Sequence, residues 1–198
     1  MNLLSISTLD DIQERVSSEI PKKRYYHTLS VAYLAVSLAM CYGEDTSKAM
    51  AAGLLHDIAK YTTGEEAINE CRKANIMISE IEERNTYLLH SKLGAYYAEK
   101  KFGITDNDVL AAITNHTTGR PDMSTLEKII FLADYIEMRR NQPTTPSLAI
   151  IRETAFKQLN LAVFYALDNT LRYLTNTQRE IDQLTVITHE YYKKELNL

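Results

Sequence analysis

Apolar residues recur at intervals of three and four along almost the whole chain, and this spacing constrains the fold more than any other feature. Because a helix turns once every 3.6 residues, the spacing gathers the apolar side chains on one face of each segment. Only 6 glycines and 4 prolines interrupt the 198 residues. We therefore predict an all-α fold, a single-domain helical bundle that spans residues 1–198.

Residues that stop helices give the expected ends of the early segments. A second helix over residues 22–42 should end at Gly43, because glycine readily adopts the left-handed conformation of a helix end. Its residue Cys41 is expected to face the core. A third helix, rich in alanine, should run to the neighbourhood of Lys60.

The second half of the chain has its own start and stop signals. The sequence Ser124–Glu127 has the pattern of a capping box and should open an apolar helix. Segment 141–146, with two prolines, is the expected linker. Two long helices, 147–174 and 178–195, should then form a C-terminal extension over about 147–195.

Charge and cysteine content narrow the partners. The 22 basic and 26 acidic side chains give a formal charge of −4, so there is no basic surplus to neutralise nucleic acid phosphates. The cysteines lack a CxxC spacing, the N-terminus does not resemble a signal peptide, and no run of about 18 apolar residues occurs. We expect a cytoplasmic protein that binds neither nucleic acid nor a membrane. The sequence leaves open whether it forms a homodimer.

Charged residues interrupt two of the apolar helices. His56, Asp57 and Lys60 follow the apolar run 51–55, and Asp134 follows the apolar run 129–133. Buried polar groups lose solvation energy unless they find partners. Imidazole and carboxylate together suit iron, manganese or zinc, so a metal site is one explanation of both interruptions.

The remaining histidines have distinct settings. His27 lies on the helix before His56, with Arg24 one turn earlier on the same face. His90 and His116 stand at the edges of other helical segments. His189 lies in a polar helix and is expected at the surface.

The sequence resembles the HD-domain metal-dependent phosphohydrolases, first in the order of its histidines and aspartates and then in four longer fragments. The histidines and aspartates follow the H…HD…D order of that superfamily at positions 27, 56–57 and 134. The fragments further resemble the YqeK-type HD hydrolases, which cleave diadenosine tetraphosphate symmetrically. They are Ala52–Lys60, Leu89-His90, Asn115–Gly119 and Lys128–Glu137.

The resemblance implies a metal-site core over about residues 22–140 and a divalent transition metal held by His27, His56, Asp57 and Asp134. Iron is the expected ion, with manganese or zinc as alternatives. One ion would bind in this site, or two ions would bind with Asp57 between them and His90 and His116 completing the second site. In the first case His90 and His116 would instead hydrogen-bond a phosphate oxygen and the attacking water.

The same resemblance and ordinary phosphate chemistry give the remaining site residues. We expect Asp57, Lys60, His90 and His116 to be catalytic, since the histidines can assist proton transfer and Lys60 can neutralise phosphate charge. For Thr117, Gly119 and Arg139 or Arg140, the alternative explanation is capping of a loop or a solvated surface charge. The expected substrate-binding residues are Arg24, Lys60, His90, His116, Thr117, Gly119, Tyr135 and Arg139.

These features predict an enzyme that hydrolyses dinucleoside polyphosphates, with diadenosine tetraphosphate giving two ADP by attack of a metal-activated water on phosphorus. Two alternatives stay open. An HD phosphohydrolase could act on another nucleotide, such as a nucleoside phosphate, a cyclic nucleotide or an alarmone. A regulator that binds nucleotide without turnover is the alternative of another class.

Overall fold

Eleven α-helices and one 3₁₀ turn make up the part of the chain that the computed structural model describes, residues 6–198, and no strand occurs in that range. The predicted all-α class is confirmed. The helices are α1 (Ile6–Glu19), α2 (Lys22–Tyr42), α3 (Thr46–Leu55), α4 (Gly64–Lys73), α5 (Glu80–Arg84), α6 (Leu89–Phe102), α7 (Asn107–Asn115), α8 (Thr125–Ile136), α9 (Leu148–Ala155), α10 (Leu159–Asn176) and α11 (Gln183–Glu195), with the 3₁₀ turn at Thr86–Leu88.

The core forms where α2 and α3 pack against each other and against α7 and α8. Gly53 makes the closest approach, because a Cβ atom there would lie 2.6 Å from the Cα atom of Ala32. A larger residue would push α2 and α3 apart. This contact brings the start of α2 and the end of α3, which carry His27 and His56, into one region.

Several predicted helix ends are confirmed. Helix α2 ends at Gly43, which adopts a φ of 69°. At the start of α8, the Ser124 hydroxyl accepts from the Glu127 N–H, and the Glu127 carboxylate accepts from the Ser124 N–H. Segment 141–146 contains no helix.

The prediction that α3 reaches the neighbourhood of Lys60 is wrong, because the helix ends at Leu55. Residues 56–61 form consecutive turns instead. Within them the Ile58 N–H donates to the Leu55 carbonyl at 3.1 Å, and the Lys60 N–H donates to the Asp57 carbonyl at 3.0 Å. The backbone tightens here, so His56 and Asp57 lie just beyond the helix rather than inside it.

The single helix predicted over residues 147–174 is two helices, α9 and α10, with a break at 156–158. Side chains of α2 bind the carbonyl groups at the end of α9. The Tyr42 hydroxyl donates to the Ala155 carbonyl at 2.8 Å, and the Cys41 thiol donates to the Phe156 carbonyl at 3.3 Å. These bonds replace helical ones, and the C-terminal extension therefore has three helices.

Two predictions of burial are also wrong. Cys41 is exposed, because the buried face of α2 runs through residues such as Leu38 and Ala39. His189 is buried, because α11 packs on α10: its ring stacks on Phe164 at 5.0 Å, and its Nε2 lies 3.5 Å from an Asp168 oxygen. Across residues 6–198, no helix has the length and apolar character needed to cross a membrane.

Candidate metal centre

Six side chains from five helices or helix ends converge in the core. They come from α2, the turn after α3, the start of α6, the end of α7, and α8. We call them the histidine–carboxylate cluster; its members are His27, His56, Asp57, His90, His116 and Asp134.

Asp57 lies at the middle of this cluster and is almost fully buried. Its Oδ2 atom lies 3.4 Å from His56 Nε2 and 3.6 Å from His27 Nε2. The other oxygen, Oδ1, lies 3.3 Å from His90 Nε2 and 3.7 Å from His116 Nε2. The two carboxylate oxygens thus face two different pairs of histidines.

The histidine rings are oriented by hydrogen bonds on the far side of the ring. In His56, His90 and His116 the Nδ1 atom lies 2.5–2.7 Å from the carbonyl oxygen of the residue three positions earlier. A carbonyl oxygen can only accept, so each Nδ1 carries the proton. In the neutral rings, the Nε2 lone pairs therefore point into the cluster, as a metal ligand requires.

His27 is oriented by a carboxylate instead. Its Nδ1 lies 3.2 Å from Oε1 of Glu137, a residue that is almost fully buried. Glu137 was not among the predicted site residues, although it lies in the fragment Lys128–Glu137 that resembles the HD hydrolases. A carboxylate three residues after Asp134 lies on the same helical face, and this spacing was the available signal.

Three buried atoms of the cluster have no hydrogen-bond partner among residues 6–198. They are His27 Nε2, His56 Nε2 and Asp57 Oδ1. Unpaired buried polar atoms are rare in folded proteins because each one loses its bonds to water. Their presence together in one place indicates that the cluster is built to hold something.

The donor atoms around His27 and His56 have the spacing of a cation site. Oδ1 of Asp134 lies 3.1 Å from His27 Nε2 and 4.0 Å from His56 Nε2. Ligand bonds of about 2.0–2.2 Å place two donors of one ion no more than about 4.4 Å apart. The residues therefore fit a divalent metal ion by both spacing and donor type.

The other half of the cluster contains a cation of the protein itself. Nζ of Lys60 lies 2.8 Å from His90 Nε2 and 3.2 Å from Asp57 Oδ1. The Nε2 atoms of His90 and His116 lie only 3.0 Å apart. Since both lone pairs point inward, the ammonium of Lys60 relieves the repulsion between them.

Burial and neighbouring charges set the protonation of the cluster. Burial lowers the pKa of His90 to about 4, and the charge of Lys60 adds to this effect, so the ring is neutral at pH 7. Burial opposes ionisation of Asp57, but the surrounding imidazoles, first that of His56 and then those of His116 and His90, outweigh it and hold the pKa of Asp57 well below its usual range. Asp134 has a similarly low pKa, since contacts with His27 and Arg140 outweigh its burial.

Two arginines contact the carboxylates of the cluster. Nη1 of Arg24 donates to Asp57 Oδ2 at 2.8 Å, and Nη2 of Arg140 donates to Asp134 Oδ1 at 2.5 Å. Both arginines line a cavity of about 380 Å³ that opens beside His27. We call it the central basic cavity; its lining residues are Lys23, Arg24, His27, Tyr61, Glu137, Arg139 and Arg140.

The other expected substrate-binding residues lie in different places. The Thr117 hydroxyl lies 3.3 Å from the Nε2 atoms of His90 and His116. Arg139 lines the central basic cavity. Gly119 lies away from the cluster and faces α11, where a Cβ atom would lie 2.9 Å from Cγ2 of Thr188.

Tyr135 also points away from the cluster, although it follows Asp134 directly. It lines a separate cavity together with Arg140 and residues of α10. Burial raises the pKa of Tyr135 to about 12, so its hydroxyl stays protonated.

Comparison with known proteins agrees with this geometry. The family described as HD domain matches residues 24–139, which contain every member of the histidine–carboxylate cluster. A crystal structure from Clostridium acetobutylicum, described as a predicted HD superfamily hydrolase involved in NAD metabolism, superimposes with a TM-score of 0.89 at 40% sequence identity. That match covers 94% of this chain and 97% of the other.

Two relatives of similar length have a named activity. A protein of Halalkalibacterium halodurans is 41% identical over 88% of this chain and 91% of its own length. A protein of Bacillus subtilis is 34% identical over 89% of this chain and 92% of its own length. Both are named symmetrical bis(5'-nucleosyl)-tetraphosphatase.

Proposed function

The chain belongs to the HD domain family, and we propose that it is a metal-dependent hydrolase that cleaves diadenosine tetraphosphate into two molecules of ADP. The observation that carries the proposal is the group of buried atoms without a hydrogen bond, His27 Nε2, His56 Nε2 and Asp57 Oδ1, beside a basic cavity. The similarity to two symmetrical tetraphosphatases over nearly nine-tenths of the chain supports the choice of substrate.

We assign the metal to His27, His56, Asp57 and Asp134. Two imidazoles and two carboxylates suit iron, manganese or zinc, and we propose iron. A bound divalent cation supplies a Lewis acid that polarises phosphoryl oxygens and lowers the pKa of a bound water. The hydrogen bond from His27 Nδ1 to Glu137 fixes the ring that presents the ligand atom.

We propose a single metal ion rather than two. A second ion bridged by Asp57 would need Oδ1, and Lys60 already places its ammonium 3.2 Å from that oxygen. The same ammonium lies 2.8 Å from His90 Nε2, the other donor that such an ion would use. Lys60 therefore takes the electrostatic place of a second cation.

The cations around the central basic cavity suit a polyphosphate chain. Lys23, Arg24, Arg139 and Arg140 line its wall, and arginine binds phosphate through two parallel N–H groups. Arg24 and Arg140 now contact Asp57 and Asp134, so they are held at the edge of the reaction centre. Lys60 balances the charge that develops on the phosphate during attack.

The reaction places one water oxygen on one of the two central phosphorus atoms. The bond from that phosphorus to the central bridging oxygen breaks, and the two halves leave as ADP. The Nε2 atoms of His90 and His116 face Asp57, so we propose that these rings accept and return the proton of the attacking water.

Metal analysis combined with product chromatography tests this function. Purified protein should contain about one equivalent of iron per chain and should convert diadenosine tetraphosphate to ADP alone. Release of ATP and AMP would contradict symmetrical cleavage. Protein that retains metal and binds ADP but turns over no nucleotide would support a regulatory module instead.

A different nucleotide substrate is the second candidate, because the metal chemistry does not by itself select the leaving group. A panel of nucleoside phosphates, cyclic nucleotides and guanosine tetraphosphate separates the two candidates. The proposal expects the highest kcat/KM for the dinucleoside tetraphosphate, and a higher value for another compound would replace it.

A further inference from the structure

Two further cavities adjoin the central basic cavity, and each shares one lining arginine with it. Arg139 lines the central basic cavity and also a cavity along α2. Arg140 lines the central basic cavity and also a cavity along α10. The α2 cavity and the α10 cavity have no lining residue in common.

The α2 cavity is apolar and aromatic. It has a volume of about 450 Å³, and Tyr26, Tyr33 and Phe156 line it. The guanidinium of Arg139 lies 5.3 Å from the centre of the Tyr26 ring, which holds the arginine between this cavity and the central one. The serine hydroxyls in its wall donate to carbonyls of their own helix, so the wall offers mainly flat apolar surface.

The α10 cavity is smaller and more polar, with a volume of about 330 Å³. Tyr135 and Tyr173 supply its aromatic surface. Oγ1 of Thr144 is buried in its wall and has no hydrogen-bond partner within the described part of the chain. Asn169 is fixed, because it accepts from the Thr145 N–H and donates to the Tyr165 carbonyl, each at 2.8 Å.

We propose that the α2 cavity and the α10 cavity each bind one nucleoside of a dinucleoside polyphosphate whose phosphate chain crosses the central basic cavity. This inference rests on the proposed function and names the parts of the site that select two nucleosides. Any nucleobase can stack its flat face on a tyrosine ring. Both cavities are as large as small-molecule sites, which have volumes of about 300–1,000 Å³. Arg139 and Arg140 hold the phosphate chain at the two points where it leaves the central cavity.

The arrangement explains why a substrate with two nucleosides gives two equal products. With one nucleoside anchored on each side, the middle of the phosphate chain lies in the central basic cavity beside His27, whose Nε2 is 3.1 Å from Asp134 Oδ1. The unpaired Thr144 hydroxyl gives the α10 cavity a hydrogen bond that the α2 cavity lacks. The α10 cavity is therefore the more selective of the two for the base.

A pair of tyrosine variants tests the proposal. Tyr33 is 55% exposed and Tyr173 is 53% exposed, so replacing either one leaves the core intact. We expect Tyr33→Ala and Tyr173→Ala each to lower kcat/KM for diadenosine tetraphosphate by about 5- to 150-fold, the range for loss of one base–aromatic stack. Tyr33→Phe and Tyr173→Phe keep the ring and should retain most of the activity.

Adenosine tetraphosphate, which has one nucleoside, separates binding in the two cavities from a general defect. Its nucleoside can enter either cavity, so each single alanine variant should change its kcat/KM by about twofold or less. The double variant should lose activity toward both compounds. Met40→Ala is the control: it lies on α2 two turns beyond Tyr33, is 64% exposed and lines neither cavity.

A single alanine variant with unchanged kcat/KM for diadenosine tetraphosphate would show that its cavity is not part of the site. A single alanine variant that loses equal activity toward both compounds would indicate a structural effect instead. If the wild type hydrolyses neither compound, the proposed function fails by itself. Calorimetry with a methylene-bridged diadenosine tetraphosphate then tests the cavities, because the alanine variants should still weaken its binding.

Discussion

Two groups of polar side chains surround buried carboxylates in this fold, and their hydrogen bonding differs. The first is the histidine–carboxylate cluster. The second joins the end of α7 to the start of α8 and is here called the Glu127 network; it consists of Asn115, Arg120, Ser124 and Glu127. Both networks centre on a carboxylate that is 1% exposed, Asp57 in one and Glu127 in the other.

The carboxylate of Glu127 is fully bonded. Arg120 donates to both of its oxygens at 2.7 and 2.6 Å, Asn115 donates at 2.7 Å, and the Ser124 N–H donates at 2.7 Å. Asp57 instead has an oxygen, Oδ1, that accepts no hydrogen bond although the Lys60 ammonium lies 3.2 Å away, and the Nε2 atoms of His90 and His116 beside it lie 3.0 Å apart. A complete network stabilises a fold, whereas an incomplete one lowers stability until a ligand binds.

The comparison predicts its largest effect at Asp57. Asp57→Ala removes the carboxylate that contacts both halves of the cluster, so we expect loss of the metal and a fall in kcat/KM of at least about 1,000-fold. This corresponds to about 4 kcal/mol of lost electrostatic stabilisation. Metal content by mass spectrometry and ADP release by chromatography measure the two effects.

Glu127→Ala is the matched control for that variant. It should lower the melting temperature and yet keep the metal and the rate at temperatures well below unfolding. If Asp57→Ala stayed metal-loaded and active, the distinction between the two networks would be wrong.

Lys60 distinguishes the cluster from the Glu127 network, because its ammonium lies inside the cluster, 3.2 Å from Asp57 Oδ1. Lys60→Ala should retain the metal and lower kcat by about 100-fold, as removal of one group that stabilises developing charge does. Lys48→Ala is the control, since Lys48 pairs with Asp106 and Asp108 far from the cluster and should leave kcat unchanged. Loss of metal from Lys60→Ala would mean instead that Lys60 holds the ligands in place.

The sequence predicted the elements of the cluster better than their environment. Polar residues that interrupt an apolar helix, such as His56 and Asp134, are visible in the sequence alone. Their convergence was not, because positions 27, 57 and 134 meet only through packing of α2, α3 and α8, and the family resemblance supplied that link. Glu137 was missed because its role, to orient His27, depends on a contact across two helices.

The fold shows the same division between local and distant causes. Gly43 and the capping box at Ser124 act within a few residues, and both predictions were confirmed. The break between α9 and α10 has no glycine or proline, and it depends on hydrogen bonds from Tyr42 and Cys41 on α2. Periodicity within one segment cannot register a partner more than 100 residues away.

Glu137 shares features of both networks. Its carboxylate is paired with His27, as Glu127 is with Arg120, and this pairing orients a member of the cluster. Glu137→Gln keeps the shape and removes the charge that holds the His27 N–H, so we expect metal affinity to fall about 10- to 100-fold. Competition with a chelator measures the affinity. Full activity should return at saturating metal, and an unchanged affinity would show that Glu137 does not support the ligand.

The smallest effect is expected at Glu127, where the network stabilises the fold and its contribution depends on pH. Burial opposes ionisation of Glu127, but the bonds from Arg120, Ser124 and Asn115 outweigh it and lower the pKa below 4.5. A carboxyl group with a lowered pKa in the folded state stabilises the protein above its unfolded pKa, and this stabilisation is lost as the pH falls through the folded value. We therefore expect Glu127→Gln to lower the free energy of unfolding by about 1–2 kcal/mol at pH 7, and by less at pH 4 and below.

Urea unfolding of wild type and variant at pH 7 and pH 4 measures the difference. Glu153→Gln is the matched control, because Glu153 pairs with Lys157 at the surface and its replacement should leave the midpoint unchanged at both pH values. A stability difference for Glu127→Gln that grows on acidification would have the wrong sign for an ionised, fully bonded carboxylate. Glu127 and Asp57 would then differ only in the number of their hydrogen bonds, and not in how their charges affect stability.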